Sequence, residues 1–255
     1  SHDSLFTLDP GSSIIGGVNE GDQMSMKDIL YGIMICSGNE AAYAAAEHVG
    51  GTVEHFVEMM NERAKTIGCT DSNFCNPHGL PDDNHVTSAM DMALITKEAL
   101  NNSSFYTIAT TKRYEFPPTS SGEERIRTNH HLMMEGMEYE YEGCLGGKTG
   151  YTSKAGSTLV TFAERNGMLL ICVVMNEESP AQFLDTATLL DYGFANFRKV
   201  DMSSYGMGQD GGTDSFFLQE IEESASKTGI STKRSGTAVI PDTVGEDMLK
   251  GEVVS

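Results

Sequence analysis

Two short motifs carry residue types that can work together in one site. Ser37-Gly38-Asn39 lies in a break between two predicted helices, and Lys148-Thr149-Gly150 lies at the predicted start of a strand. A lysine and a threonine on a strand can hold a carboxylate by charge and hydrogen bonds, and Gly150 leaves the strand edge open to a ligand. A serine and an asparagine in a non-helical break can both point into one cleft, as a proton-shuttling hydroxyl beside an orienting amide.

Neither tripeptide is specific alone, because Lys227-Thr228-Gly229 repeats the second one farther along the chain. No long β-rich run follows that copy, so we interpret it as a coincidence. Structural roles are the alternative for the first pair of motifs. Ser37 and Asn39 can cap the helix that begins near Glu40, and Lys148 can be an exposed turn lysine.

Charge and hydropathy restrict the partners of the chain. The 255 residues include 17 Lys+Arg and 37 Asp+Glu, which gives a formal net charge of −20. Such a field repels phosphate backbones, so nucleic acid is not an expected partner. The longest apolar run, Met168–Met175, is far shorter than the ~20 residues of a membrane-spanning helix. Membrane contact is therefore expected only through segments absent from this chain.

Metal and cofactor sites are not predicted. The five cysteines form no Cys-x-x-Cys pair, and the seven histidines form no His-Glu-x-x-His motif, so zinc and other metals are not expected. We expect buried free thiols. The spacing of Cys69 and Cys75 leaves both a thiol pair and a disulfide open.

Helices are predicted to form the scaffold before residue 110. A 3.6-residue period of apolar side chains indicates each of them, and Ser25 with Asp28 three residues later resembles a capping box at the start of the first. The predicted helices cover about residues 26–35, 40–49, 52–67 and 87–100.

The pattern changes to strands in the second half of the chain. Gly156–Glu164 and Met168–Asn176 flank Arg165-Asn166-Gly167, which is a strong hairpin signal. Pro180 opens a last helix whose apolar side chains from Phe183 to Phe197 share one face. Helices followed by an antiparallel hairpin and a closing helix predict an α+β fold.

Three segments are expected along the chain. Residues 1–200 form the main domain, and residues 201–236, rich in Gly, Ser, Asp and Glu, form a linker that contains the apolar island Phe216-Phe217-Leu218. Residues 237–255 begin with the strand-like Thr237-Ala238-Val239-Ile240. They are too few for a domain, and we interpret them as the truncated start of a C-terminal β domain.

Six stretches of the sequence carry a resemblance to a known family. They are Gly21–Ala42, Phe56-Val-Glu-Met-Met-Asn-Glu, Asn76-Pro-His-Gly-Leu-Pro-Asp, Asp91-Met-Ala-Leu-Ile, Gly146-Gly-Lys-Thr-Gly-Tyr-Thr and Tyr192-Gly-Phe. With them the chain resembles the low-molecular-mass penicillin-binding proteins, the D-alanyl-D-alanine carboxypeptidases of the Ser-x-x-Lys superfamily, over roughly residues 5–198. The resemblance implies the fold of β-lactamases and DD-peptidases, an antiparallel sheet flanked by helices, with no cofactor.

The resemblance implies a serine enzyme that cleaves the terminal D-Ala–D-Ala amide of peptidoglycan stem peptides through an acyl-enzyme. Ser37 would pass a proton to the leaving amine, and Asn39 would orient the substrate. Lys148 would supply a positive field, and Thr149 would bind the substrate carboxylate. The backbone N–H of Tyr151 would form half of the oxyanion hole. β-Lactams would acylate the same nucleophile, and the protein would be exported to act on the cell wall and cell shape.

Two further positions follow from the resemblance. Asp91 begins a family stretch near the expected cleft, where it would either help to bind substrate or serve as a helix-surface or capping carboxylate. Gln182 lies where several relatives are expected to carry Arg for the substrate carboxylate. Binding of that carboxylate would then depend more on Lys148 and Thr149.

The family's Ser-x-x-Lys motif is missing before Ser37. Only Ser224 and Lys227 have that spacing, and they follow the other motifs in the predicted linker. The start Ser4-Leu-Phe-Thr-Leu resembles the strand that follows the helix carrying the motif. We therefore expect an N-terminal truncation or cleavage just beyond the catalytic pair, which leaves this chain inactive.

Two other functions remain open at this point. A class A β-lactamase-like enzyme shares the motifs but needs a Glu-bearing loop, which the Asn76–Asp82 stretch does not resemble. A non-catalytic peptidoglycan- or β-lactam-binding protein is compatible with the missing nucleophile. The sequence does not decide between carboxypeptidase, endopeptidase and transpeptidase activity.

Overall fold

Most of the helices precede the sheet in chain order. The structure, a computed structural model, describes residues 1–6, 11–120, 124–201, 232–233 and 237–243. The predicted helices correspond to α2 to α5 and α7. The expected strand near Ser4 is wrong, because residues up to Phe6 form a short helix. The helices in the described ranges are α1 (His2–Phe6), α2 (Met26–Cys36), α3 (Asn39–Gly50), α4 (Val53–Thr66), α5 (Ala89–Ala99), α6 (Ser103–Ala109) and α7 (Ala181–Asn196).

The strands are antiparallel and complete the predicted α+β fold. β3, β4 and β5 form a sheet in that order, so β3 is an outer strand of the described part of this sheet. The turn after Arg165 has positive φ at Asn166 and Gly167, which confirms the predicted hairpin. The described strands are β1 (Arg113–Phe116), β2 (Arg125–Thr128), β3 (Cys144–Thr152), β4 (Gly156–Arg165), β5 (Met168–Glu177), β6 (Phe197–Asp201), β7 (Thr232–Lys233) and β8 (Thr237–Pro241).

Two compact units share the chain, one of residues 1–163 and 171–187 and the other of residues 164–170 and 188–255. In the second unit β6 pairs with β8 and β8 with β7, each antiparallel. The predicted strand at 237–240 is confirmed as part of β8. Phe197 begins β6 instead of ending the last helix. Most of the predicted linker, its apolar island and the second Lys-Thr-Gly copy lie outside the described residues, as do residues 244–255.

The start of α2 is fixed by a capping box, as the Ser25–Asp28 spacing predicts. Ser25 Oγ accepts a hydrogen bond from the backbone N–H of Asp28 at 3.1 Å and donates one to its carboxylate at 2.5 Å. The hydroxyl of Tyr114 also donates to Asp28, at 2.6 Å, and its ring stacks on that of Tyr31. These contacts join the first half of α2 to β1.

The core of the first unit lies against α2. Ile15, Ile35 and Phe116 are almost fully buried there, together with Tyr31. Burial of such large apolar side chains contributes about 1.5–3 kcal/mol each. In the described part of the chain, no helix is both long and apolar enough to span a bilayer.

Candidate active site

Ser37 and Lys148 are in direct contact. The Lys148 ammonium donates a hydrogen bond to Ser37 Oγ, although the two residues are 111 positions apart in the chain. It also donates to the backbone oxygen of Thr149 at 2.6 Å. Both side chains are partly buried. The two motifs singled out in the sequence therefore meet in one place.

The backbone at Ser37 has a left-handed conformation. Ser37 follows the last residue of α2 with φ 53° and ψ 37°, and its N–H donates to the carbonyl of Gly32. Gly38 N–H donates to the same carbonyl at 3.0 Å, a pattern that ends a helix by satisfying its last carbonyls. The residue that caps α3 is Gly38, without a side-chain hydrogen bond. Ser37 and Asn39 are thus not side-chain caps of α3.

Asn39 begins α3 and is 8% exposed. Its backbone N–H donates to the carbonyl of Ser13 at 2.9 Å. This bond connects the start of α3 to a segment that precedes α2. The segment runs beside the Ser37 turn and helps to hold it.

Lys148 lies in the middle of the nine-residue β3, not at its start as predicted. It pairs with Val160 of β4, and the register shifts between Cys144 and Gly146. An added Cβ at Gly146 would lie 2.3 Å from the Ala109 carbonyl oxygen. The glycine therefore permits the end of α6 to pack directly on β3, next to the lysine.

Burial controls the charge of the groups around Lys148. It lowers the pKa of the Lys148 ammonium to about 8 and raises the pKa of the neighbouring Cys36 thiol to about 11. Burial also lowers the pKa of His131 to about 4. Cys36 and His131 are therefore neutral near pH 7, whereas Lys148, with a pKa of about 8, is mainly protonated there. The lysine thus carries a positive charge in a poorly solvated place, without a second charge on these two neighbours.

His131 supports β3 from the protein interior and was not identified from the sequence. It is fully buried, and its Nε2 lies 2.8 Å from Thr161 Oγ1 on β4. An added Cβ at Gly147 would lie 2.8 Å from the same nitrogen and 1.9 Å from the Val160 carbonyl oxygen. No spacing pattern marks such a histidine, because its partners come from strands that are distant in sequence.

The predicted substrate-binding residues Thr149, Gly150 and Tyr151 follow Lys148 along β3. Tyr151 is 75% exposed, whereas Thr149 is partly buried. An added Cβ at Gly150 would lie 2.4 Å from Thr158 Oγ1. The absence of a side chain at Gly150 therefore has a packing reason on β4 as well as the predicted access to the strand edge.

Asp91 lies in the first turn of α5 and is 1% exposed. Its carboxylate accepts hydrogen bonds from the backbone N–H of Asp71 at 2.8 Å and of Thr70 at 3.3 Å, and from Ser72 Oγ at 2.7 Å. Among the described residues, none of its hydrogen bonds reaches Ser37 or Lys148. Its carboxylate holds the 70–72 loop, so it is neither on the helix surface nor a cap of α5, as the structural alternative had it. Its predicted part in substrate binding stays a prediction.

Gln182 is also buried, at 6% exposure. Its Nε2 lies 3.5 Å from Ser179 Oγ, and its Oε1 has no hydrogen-bond partner in the described structure. The thiols of Cys69 and Cys75 are free. Within the described ranges, no group of three or more His, Cys, Asp or Glu residues can hold a metal ion.

Residues 7–179 match the family described as D-alanyl-D-alanine carboxypeptidase. DacF of Bacillus subtilis is 35% identical over 200 residues, which cover 76% of this chain and 50% of that protein. DacB2 of Mycobacterium tuberculosis is 34% identical, with 70% of this chain and 61% of that protein covered. DacC of Escherichia coli is 34% identical, with 74% and 46% covered. The chain thus spans about half the length of these curated relatives.

The fold is similar to that of a solved enzyme. The crystal structure of the Streptomyces K15 DD-transpeptidase superposes with a TM-score of 0.66 at 30% sequence identity. The similarity covers 72% of this chain and 72% of that one.

Proposed function

The chain belongs to the D-alanyl-D-alanine carboxypeptidase family, and we propose that it is part of a penicillin-binding serine enzyme that removes the terminal D-Ala of peptidoglycan stem peptides. The observation that carries this proposal is the contact between Lys148 Nζ and Ser37 Oγ. It joins a hydroxyl and a partly desolvated cation from the two motifs that the family resemblance assigns to the site.

The Ser37 hydroxyl accepts a hydrogen bond from the Lys148 ammonium, so its own proton is free to be donated. In the proposed reaction Ser37 gives that proton to the amine that leaves as D-Ala, and Lys148 resupplies it. A lysine with a pKa of about 8 can release a proton near neutral pH more readily than an ordinary lysine. Asn39 would orient the substrate beside this pair.

The outer strand β3 supplies the rest of the proposed binding site. The charge of Lys148 and the hydroxyl of Thr149 would bind the terminal carboxylate of the substrate, which would lie along the strand past Gly150. The backbone N–H of Tyr151 would form half of the oxyanion hole, a contribution often worth about 2.7–4 kcal/mol. Asp91 would act on the site only by holding the 70–72 loop, because its carboxylate is already hydrogen bonded there.

By the family resemblance the nucleophile would belong to a Ser-x-x-Lys motif, and no such motif precedes Ser37 in this chain. We therefore place the nucleophile in an upstream segment of a longer protein, which would act outside the cytoplasmic membrane on the cell wall and cell shape. β-Lactams would acylate the same upstream serine.

Intact-mass measurement after incubation with a fluorescent penicillin tests the proposal. We expect no adduct on the 255-residue chain, and an adduct together with D-Ala release from a pentapeptide once the upstream segment is restored. In that longer protein Lys148→Ala is expected to lose most acylation. Lys65→Ala, which removes an exposed lysine of α4, is the matched control and should acylate normally.

A non-catalytic peptidoglycan- or β-lactam-binding protein is the second candidate, and the observation that favours it is that no Ser-x-x-Lys motif precedes Ser37. In that case the longer protein would bind penicillin reversibly, without a covalent adduct. An adduct on a serine of the 255-residue chain would contradict the upstream position of the nucleophile. Normal acylation of the Lys148→Ala protein would contradict the role of the lysine.

A further inference from the structure

Glu40 is a buried carboxylate next to the proposed site. It lies in the first turn of α3 and is 5% exposed. Burial raises its pKa, and nearby backbone N–H groups offset part of that rise. Burying a carboxylate is costly unless it is well hydrogen bonded. Its Oε1 accepts a hydrogen bond from the backbone N–H of Ile15 at 2.6 Å, which joins the carboxylate to a different part of the chain. Its Oε2 is buried without a hydrogen-bond partner in the described structure.

The segment that Glu40 holds is Ser13–Gly17, which we call the strap. The side chain of Ile15 is 1% exposed and fills a space left by two glycines. An added Cβ would lie 2.2 Å from Ile15 Cδ1 at Gly32 and 3.2 Å from Ile15 Cγ1 at Gly38. Gly32 provides the carbonyl that ends α2, and Gly38 follows Ser37 directly. The strap therefore packs against the turn that contains Ser37.

Two arginines of β2 also hydrogen bond to the strap. Arg127 Nη2 donates to the Ile15 carbonyl at 2.9 Å. Arg125 donates to the carbonyls of Gly16 at 2.6 Å and of Gly17 at 2.9 Å. Arg125 is 3% exposed, and these hydrogen bonds are partly buried and charge-assisted. The strap is thus fixed between one carboxylate and two guanidinium groups.

We propose that Glu40 is a positioning residue for Ser37, which acts by holding the strap against Gly32 and Gly38. A left-handed backbone is unfavourable for serine and persists only where the surroundings fix it. With the strap in place Ser37 keeps φ 53°, and its Oγ stays in contact with Lys148 Nζ. The relevance of Glu40 to catalysis rests on the proposed function, whereas its positioning of Ser37 does not.

An NMR titration of Lys148 in the 255-residue chain, observed at its ε-carbon, tests this inference. Ser37→Ala removes an acceptor that stabilises the ammonium, so we expect the Lys148 midpoint to fall by about one pH unit, a tenfold change in proton affinity. In a Glu40→Ala protein we expect Ser37 Oγ to have lost its contact with Lys148 Nζ already. Adding Ser37→Ala there is expected to change the midpoint no further.

Two conservative variants separate the length of the Glu40 side chain from its charge. Glu40→Gln keeps an acceptor for the Ile15 N–H without the charge, so the effect of Ser37→Ala should remain. Glu40→Asp keeps the charge but is one methylene too short, so that effect should be lost. Comparison of Glu40→Gln with Glu40→Asp tests the inference if the Glu40→Ala protein fails to fold. Glu54→Ala, at an exposed first-turn position of α4, should leave the Lys148 midpoint unchanged.

The inference would be overturned if Ser37→Ala lowered the Lys148 midpoint equally with and without Glu40, or if Glu40→Gln behaved like Glu40→Asp. A purely structural role of Glu40 would lower the urea midpoint of unfolding but leave the coupling between Ser37 and Lys148 intact. Because no catalysis is measured, failure of the longer protein to release D-Ala would reject the proposed function without affecting this result.

Discussion

Lys148 should make the stability of the folded chain rise with pH above about 8. Burial lowers the pKa of its ammonium from 10.5 to about 8. In the unfolded chain the lysine keeps its ordinary pKa. Between these two values the unfolded state therefore binds a proton that the folded state has lost, and stability increases with pH in that window. At 1.36 kcal/mol per pH unit, the full window is worth about 3 kcal/mol.

The perturbation is Lys148→Met, which keeps a long side chain but removes the titrating group. Urea unfolding of both proteins gives the free energy of unfolding from about pH 6 to about pH 10.5. The difference, wild type minus variant, should be constant up to about pH 7.5 and then rise by about 3 kcal/mol. Other titrating groups are shared by the two proteins and cancel in this difference.

Lys65→Met is the control, because Lys65 is exposed on α4 and the corresponding difference should stay flat. A flat difference for Lys148→Met as well would refute the burial argument. An NMR titration of Lys148 with its midpoint near the ordinary value would refute it independently. The proposed exchange of a proton between Lys148 and Ser37 near neutral pH would then have no basis.

Three other substitutions test the packing around the site and the hydrogen bonds that hold the 70–72 loop. Gly147→Ala would bring a Cβ within 1.9 Å of the Val160 carbonyl oxygen and should cost about 3 kcal/mol of unfolding free energy in urea; a wild-type urea midpoint would contradict this close approach. The hydrogen bonds to Asp91 lower the pKa of its carboxyl group. The carboxylate therefore stabilises the fold above its ordinary pKa, and this stabilisation is lost as the pH falls. Asp91→Asn should lower the melting temperature at pH 7 and make the melting temperature depend less on pH in acid. Gly32→Ala gains about 1 kcal/mol of helix propensity but places a Cβ 2.2 Å from the buried Ile15, so a melting temperature equal to or above wild type would reject the packing argument.

Elements with local signals could be predicted from the sequence. The 3.6-residue period indicates α2 to α5, and the Asn-Gly turn indicates the hairpin of β4 and β5, because these patterns depend on neighbouring residues alone. Ser25 and Asp28 form the predicted capping box for the same reason. The α+β class follows from the order of these elements.

Short elements fixed by distant contacts could not be predicted. α1 and β2 are only five and four residues long, too short for a period to appear. Arg125 of β2 is buried because carbonyls of the strap and of Pro117 accept its hydrogen bonds. A sequence shows the arginine but not the carbonyls, and a buried arginine is otherwise an improbable assignment.

The residue types of the candidate site could be predicted from the sequence, but the buried residues that hold them in place could not. The family resemblance brings Ser37 and Lys148 together, since no spacing rule joins residues 111 positions apart. His131 and Glu40 were missed because burial decides their importance. Asp91 was placed near the cleft by its position in a family stretch, while its hydrogen bonds go to the 70–72 loop.

Close packing is the common reason why several positions around both motifs are glycine. Gly32 and Gly38 admit the side chain of Ile15 beside the Ser37 turn, and Gly146 and Gly147 admit main-chain atoms of α6 and β4 beside Lys148. At Gly32, Gly146 and Gly147 a neighbouring segment approaches the backbone too closely for a side chain, whereas an added Cβ at Gly38 would make tight contacts of 3.1–3.2 Å. Because the contact between the serine and the lysine depends on both approaches, a methyl group added at Gly32, Gly146 or Gly147 should disturb the contact without touching either reacting side chain.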